Sequence, residues 1–179
     1  MAKRARRREA GFTMIEILIV IAMLAILAAI AVPQFLGQSR KAKANSEVVA
    51  IFNDLRMRLE QFAQENGTYP PTIGEGTMHP AGLPTTSKVA LLPTPATWDA
   101  IRFMPTGPTD VYCRYTWVTG TAGNNANLGT QGTTFGFTVP ATDWWYLLAR
   151  CNMDGDSATD SFYFTSSTDP TIQKINEGR

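Results

Sequence analysis

The sequence predicts an α+β protein: a long N-terminal helix packed on a small, mostly antiparallel sheet of about four strands. Three observations lead to this. A predominantly apolar run, FTMIEILIVIAMLAILAAIAV, opens close to the N-terminus. An apolar stripe at helical spacing follows it. Aromatic and β-branched runs separated by turn residues then fill the second half of the chain.

Phe12 to Val32 spans 21 residues, of which only Thr13 and Glu16 are not apolar. At about 1.5 Å per residue the run covers roughly 31 Å, the thickness of a bilayer hydrocarbon core. Ahead of it lie Lys3, Arg4, Arg6, Arg7 and Arg8. A basic leader predicts a cytoplasmic N-terminus and an exported remainder. A cleaved secretory signal is the competing reading, since Ala29-Ile30-Ala31 fits a small-residue cleavage pattern; against it stand the length of the run and the acid inside it. That acid, Glu16, is the candidate functional residue of the segment. An ionised carboxylate costs roughly 2.5–3.5 kcal/mol at the centre of a membrane helix, so it calls for a partner.

Pro33 is expected to kink the helix, because it removes a backbone donor and crowds the preceding turn. The helix then resumes through residues 34–65. Val48, Phe52, Leu55, Leu59 and Phe62 recur at spacings of three and four, an amphipathic stripe suited to packing on a sheet. Asn66-Gly67 is a C-cap signal and Pro70-Pro71 forbid continuation. Asn66-Gly67-Thr68 also fits a glycosylation triplet, which the cap explains more simply.

Residues 66–179 form the exported loop and sheet domain. Thr68–Thr97 carries six of the eleven prolines and is expected to be a surface connector. Strand signals begin near Ile101. VYCRYTWV (111–118), Phe135–Val139, Trp144–Cys151 and Ser161–Thr165 are the expected strands. The nearly continuous apolar run of Trp144–Cys151 suits a central strand. The uncharged Gly-, Asn- and Thr-rich stretch 119–134 is expected as a loop. Asp154-Gly155 marks a tight hairpin turn, and the polar tail from Ser166 is expected to be loose.

The chain has 16 basic and 15 acidic residues, but residues after Gly11 sum to a formal charge of −3. The exported part thus has no basic excess and gives no sign of bulk nucleic-acid binding. Cys113 and Cys151 both fall in it, and an oxidising compartment favours a disulfide between them. Unpaired thiols are the alternative. A metal site at the cysteines is disfavoured because His79 is the single histidine and lies in the Pro-rich connector. Asn152, Asp154, Asp156 and Asp160 could offer oxygen ligands to Ca²⁺, although the spacing is not that of an EF-hand loop; an acidic turn is the simpler reading. Trp98, Trp117, Trp144 and Trp145 are expected in the core. No catalytic constellation, phosphate loop or cofactor motif is present, so the chain is not expected to be an enzyme.

Gly11 followed by FTMIEILIV and then LAAIAVP resembles the N-terminus of type IV pilins with a short class III leader. The wider family includes the pseudopilins of type II secretion. The strong match covers residues 11 to about 35, with NGTYP after the helix a weaker one. The resemblance implies cleavage between Gly11 and Phe12 by a prepilin peptidase and methylation of the new Phe12 amine. It implies an inner-membrane precursor surrounded by lipid, drawn by the pilus assembly machinery into an open helical homopolymer outside the cell, a fimbrium. Glu16 takes the place of the family's buried glutamate. Ala25 stands where many relatives carry glycine, and alanine favours helix by about 1 kcal/mol. On a helix Phe12 and Glu16 lie on one face, so the acid and the freed amine could meet within a subunit or between neighbours. Such a pair would act mainly as a register device, with Ile15, Ile17, Leu18, Val20, Ile21 and Leu24 supplying cohesion. Two alternatives remain: a type II secretion pseudopilin, and a bitopic membrane protein presenting a ligand-binding domain.

Overall fold

The computed structural model describes residues 12–177, the side chain of Pro33 excepted. Two compact units divide the chain, Met1–Gly37 and Gln38–Arg179. The first is occupied by the start of helix α1 (Met14–Asn66), whose assignment continues through Pro33; the kink expected there turns on a side chain outside the described set.

The second unit holds the rest of α1 and everything after it. Helix α1 ends where the sequence signals it. Gly67 adopts a left-handed φ of +76°, open to glycine without a Cβ clash, and its N–H donates to Ala63 O at 2.8 Å. Beyond it come β1 (Val89–Ala90), the short helix α2 (Ala96–Asp99), β2 (Asp110–Val111), β3 (Arg114–Gly120), the short helix α3 (Thr130–Thr134), β4 (Trp144–Cys151), β5 (Ser161–Ser166) and β6 (Gln173–Ile175). β1 and β2 pair as a small ribbon, and β3-β4-β5-β6 form one antiparallel sheet in that order.

Both faces of this sheet are covered. On one, Val48, Ile51, Phe52, Leu55 and Leu59 of α1 pack with Tyr115, Trp117, Trp145, Leu147 and Tyr163. On the other, Val118, Trp144, Tyr146, Leu148 and Phe164 lie under Phe137. Two covered faces explain why β4 is apolar at consecutive positions instead of alternating. All four tryptophans are buried. The close fit extends to Gly120, where an added Cβ would fall 2.2 Å from the Trp144 ring.

Acids flanking the apolar stripe fasten α1 to this unit. Glu47, 5% exposed, accepts from Tyr112 N at 2.9 Å, Cys113 N at 2.9 Å and Tyr115 Oη at 2.9 Å. Burial, with the Glu47 charge second, pushes the Tyr115 phenol well up, so it stays a donor. Asp54 accepts from Thr106 N at 2.7 Å, and Glu60 from Trp145 Nε1 at 2.7 Å.

Several expectations are corrected. α1 begins at Met14, not Phe12. Phe135–Val139 is not a strand: α3 and Gly136, at φ +70°, turn the chain so that Phe137 caps the aromatic cluster, its ring 5.2 Å from that of Trp144. The segment near Ile101 is α2 and an irregular turn with Ile101 and Phe103 buried, and strand structure resumes at β2. The Asp154-Gly155 turn is part of a longer link containing a 3₁₀ turn at Ser157–Thr159. The tail supplies edge strand β6, its approach shaped by Asp169 accepting from Thr171 N at 2.9 Å. Polar alternation is compatible with an edge strand.

Glu47→Ala leaves the half-buried Tyr112 N–H, the buried Cys113 N–H and the buried Tyr115 hydroxyl without this acceptor. At about 1–3 kcal/mol per fully buried stranded group, with the half-buried Tyr112 N–H costing less, urea unfolding of the second unit should show a loss of about 2–6 kcal/mol. Glu47→Gln, which keeps one acceptor oxygen, should lose about half as much. Equal stability of Glu47→Ala and the parent would refute the clamp.

Candidate functional site

The N-terminus of α1 is organised by its own side chains. Glu16 Oε2 accepts from Thr13 N at 2.9 Å and from Thr13 Oγ1 at 2.9 Å, while Glu16 N donates to Thr13 Oγ1 at 3.3 Å. This is a reciprocal capping box, Thr13 at the N-cap and Glu16 three residues on. It explains why the helix begins at Met14. Thr13 was missed as a functional residue, although T-x-x-E ahead of an apolar run is a sequence signature of such a box.

Two consequences follow. Phe12 lies before the first helical residue, so the i, i+4 face expected for Phe12 and Glu16 does not exist in this state. The acid is satisfied locally by an N–H and a hydroxyl. Among the described residues its hydrogen-bond donors are the N–H and hydroxyl of Thr13, and both residues are exposed.

From Phe12 to Val32 every side chain is exposed, Met14 by 92% and Leu18 by 62%. The helix is long and apolar enough to cross a membrane, and none of its most apolar stretch is buried within the chain. Gly11, the expected cleavage position, and the basic leader lie outside the described residues.

The remaining candidates fall elsewhere. Cys113 and Cys151 are bonded to each other across the ends of β3 and β4, with Cα atoms 4.3 Å apart. The oxygen-rich group does not converge on one point. Asn152 Oδ1 accepts from Gly155 N at 2.7 Å, Asp154 Oδ1 from Asp156 N at 3.0 Å and Asp156 Oδ1 from Ala158 N at 3.0 Å. Asp160 pairs with Arg150. Among the described residues no cluster of three or more His, Cys, Asp or Glu could hold a metal.

The model of the prokaryotic N-terminal methylation motif matches residues 6–32. The type IV major pilin protein PilA of Myxococcus xanthus is 33% identical over 152 residues, which cover 73% of this chain and 69% of that protein. The chain belongs to the type IV pilin family. The type IV wide pilus major component of Thermus thermophilus is 39% identical over 80 residues, 45% of this pilin-family chain and 59% of that protein. The type II secretion system core protein G of Aeromonas hydrophila is 41% identical over 70 residues, 37% of this chain and 46% of that protein. The chain thus spans less than half the length of the secretion core protein, and the likeness to the Myxococcus pilin extends beyond the N-terminal helix. No solved structure matches the chain.

Thr13→Val removes the cap hydroxyl at nearly constant volume and should weaken the first turn by about 1 kcal/mol, whereas Thr13→Ser should preserve it. Hydrogen exchange at residues 14–17 of the detergent-solubilised precursor should rise in the valine variant alone. Identical protection in both would show that the box does not hold the turn.

Proposed function

We propose that this chain is the structural subunit of a type IV pilus. Residues 1–11 form a leader that a prepilin peptidase removes, residues 12–33 the membrane and assembly half of the helix, residues 34–65 its amphipathic half, and residues 66–179 the exported head. The precursor sits in the inner membrane with its N-terminus in the cytoplasm, and the matured subunit joins an extracellular filament. The observation that carries this reading is the apolar half of α1, exposed throughout and holding one acid.

Cleavage between Gly11 and Phe12 creates an α-amine that is largely protonated near neutral pH. That amine, methylated, is the nearest new cation to Glu16. The capping box gives the exchange a defined starting point: the carboxylate leaves the Thr13 donors, or shares them, when an amine arrives. Between two copies the contact joins unlike surfaces, and its repetition yields an open helix of subunits, not a closed ring. Its role is register, because desolvation offsets much of the Coulomb gain.

A second reading, a type II secretion pseudopilin, is favoured by the matches to core protein G. Those matches stay within about 70 residues, while the pilin match runs over 152. Sheared surface filaments built from this chain support the first reading. Their absence together with lost enzyme secretion on deletion supports the second.

Glu16→Ala should leave maturation intact and reduce surface filaments at least tenfold, a loss of about 1.4 kcal/mol or more per subunit addition. Gly11→Phe should instead accumulate uncut precursor. Immunoblots for processing and quantification of sheared filaments separate the two effects. Filaments at parental abundance from Glu16→Ala would defeat the register role. A native N-terminus elsewhere than Phe12 would defeat the processing scheme.

A further inference from the structure

The sheet face away from α1 carries a buried guanidinium that forms no ion pair among the described residues. Tyr115 and Trp117 pack with α1, so Arg114, one residue out of step, belongs to the opposite face. The register sets Arg114 directly across from Arg150 on β4. Like charges at opposed positions work against strand pairing. One of the two is matched internally: Asp160, at the start of β5, is ion-paired with Arg150.

Arg114 has no such partner among the described residues. It is 2% exposed. Its guanidinium donates to carbonyls alone, Nη1 to Tyr112 O and Cys113 O at 3.4 Å and Nη2 to Leu83 O at 3.2 Å, and its Nε is buried without a partner. Burial draws its pKa down, while the Glu47 charge acts the other way. The Glu47 carboxylate is already held by Tyr112 N, Cys113 N and Tyr115 Oη. A buried cation without an ion-pair partner is costly.

Arg114 and Arg150 both line a recess of about 420 Å³ roofed by residues 75–84, with Met78, Leu83 and Pro84 as apolar lining. Glu75 also borders it. Its carboxylate accepts from Gln131 N at 2.8 Å, Gly132 N at 2.9 Å and Tyr146 Oη at 2.8 Å and makes no ion pair with Arg114.

We propose that this recess is a binding site for an oxyanion, a carboxylate or phosphate group held by Arg114 with Arg150 beside it. Planar guanidinium groups favour that chemistry because they offer parallel donors to two oxygens. The apolar lining suits a group carried on a short organic body. The group comes either from a small free anion or from an acidic side chain of a neighbouring copy.

The test uses the full-length matured chain in detergent, titrated calorimetrically with inorganic phosphate and with acetate at constant ionic strength. Saturable binding of at least one probe is expected. Arg114→Met should weaken it at least tenfold, the scale of a lost charge-assisted hydrogen bond. Arg150→Gln, which leaves Arg114 in place, should weaken it about threefold or more, and it keeps the test decisive if Arg114→Met does not fold. Absence of saturable binding by the parent, or affinity unchanged in the folded variants, overturns the site. Titration of assembled filaments then separates the sources: retained binding identifies a free anion, and binding lost on assembly identifies a neighbour's carboxylate. The subunit titration stands apart from the pilus reading, since it does not require a filament to form.

Discussion

An apolar helix half that its own chain does not cover is the constraint on which the rest depends. Fully burying one Leu or Ile side chain is worth about 1.5–3 kcal/mol, so the exposed residues from Met14 to Val32 represent tens of kcal/mol of unmet burial. Lipid can meet that demand, and so can other copies of the same helix. A structural subunit that waits in a bilayer and then enters a filament exchanges one apolar surrounding for another. That exchange gains little hydrophobic energy, which leaves packing and polar register to decide where each copy docks.

Glu16 matters in this setting because it is not stranded in the isolated chain. The capping box gives its carboxylate two donors and at the same time starts the helix at Met14. In the proposed assembly, the same oxygen that holds the first turn is the one an incoming amine would claim, so helix initiation and subunit contact would draw on a single group. The second unit shows related logic. Glu47 fastens the amphipathic part of α1 to the backbone at Cys113, where the disulfide ties β3 to β4. Helix, strand and cross-link meet at one buried carboxylate.

Much of this was legible in the sequence. The stripe Val48, Phe52, Leu55 and Leu59 found its sheet because helical periodicity survives any tertiary context, and Asn66-Gly67 ended the helix because the cap is local chemistry. Trp144–Cys151 was recognisable as a central strand from continuous apolarity. Phe135–Val139 misled, since alternating aromatics also serve a segment that covers a sheet without pairing to it. β6 was hidden because an edge strand needs no apolar face. Glu47 and Asp54 were not singled out in the sequence; their backbone partners lie 65 and 52 residues away, a separation that no local pattern encodes. Thr13 was legible as well, since T-x-x-E ahead of an apolar run is the local signature of the capping box.

In the proposed filament, copies of this chain become one another's solvent. Electron cryomicroscopy of sheared surface filaments tests it most directly. The account predicts density for this chain in which residues 14–32 run through the filament centre, enclosed by the same helix of neighbouring subunits. Filaments in which that segment is missing, or faces water, would contradict it.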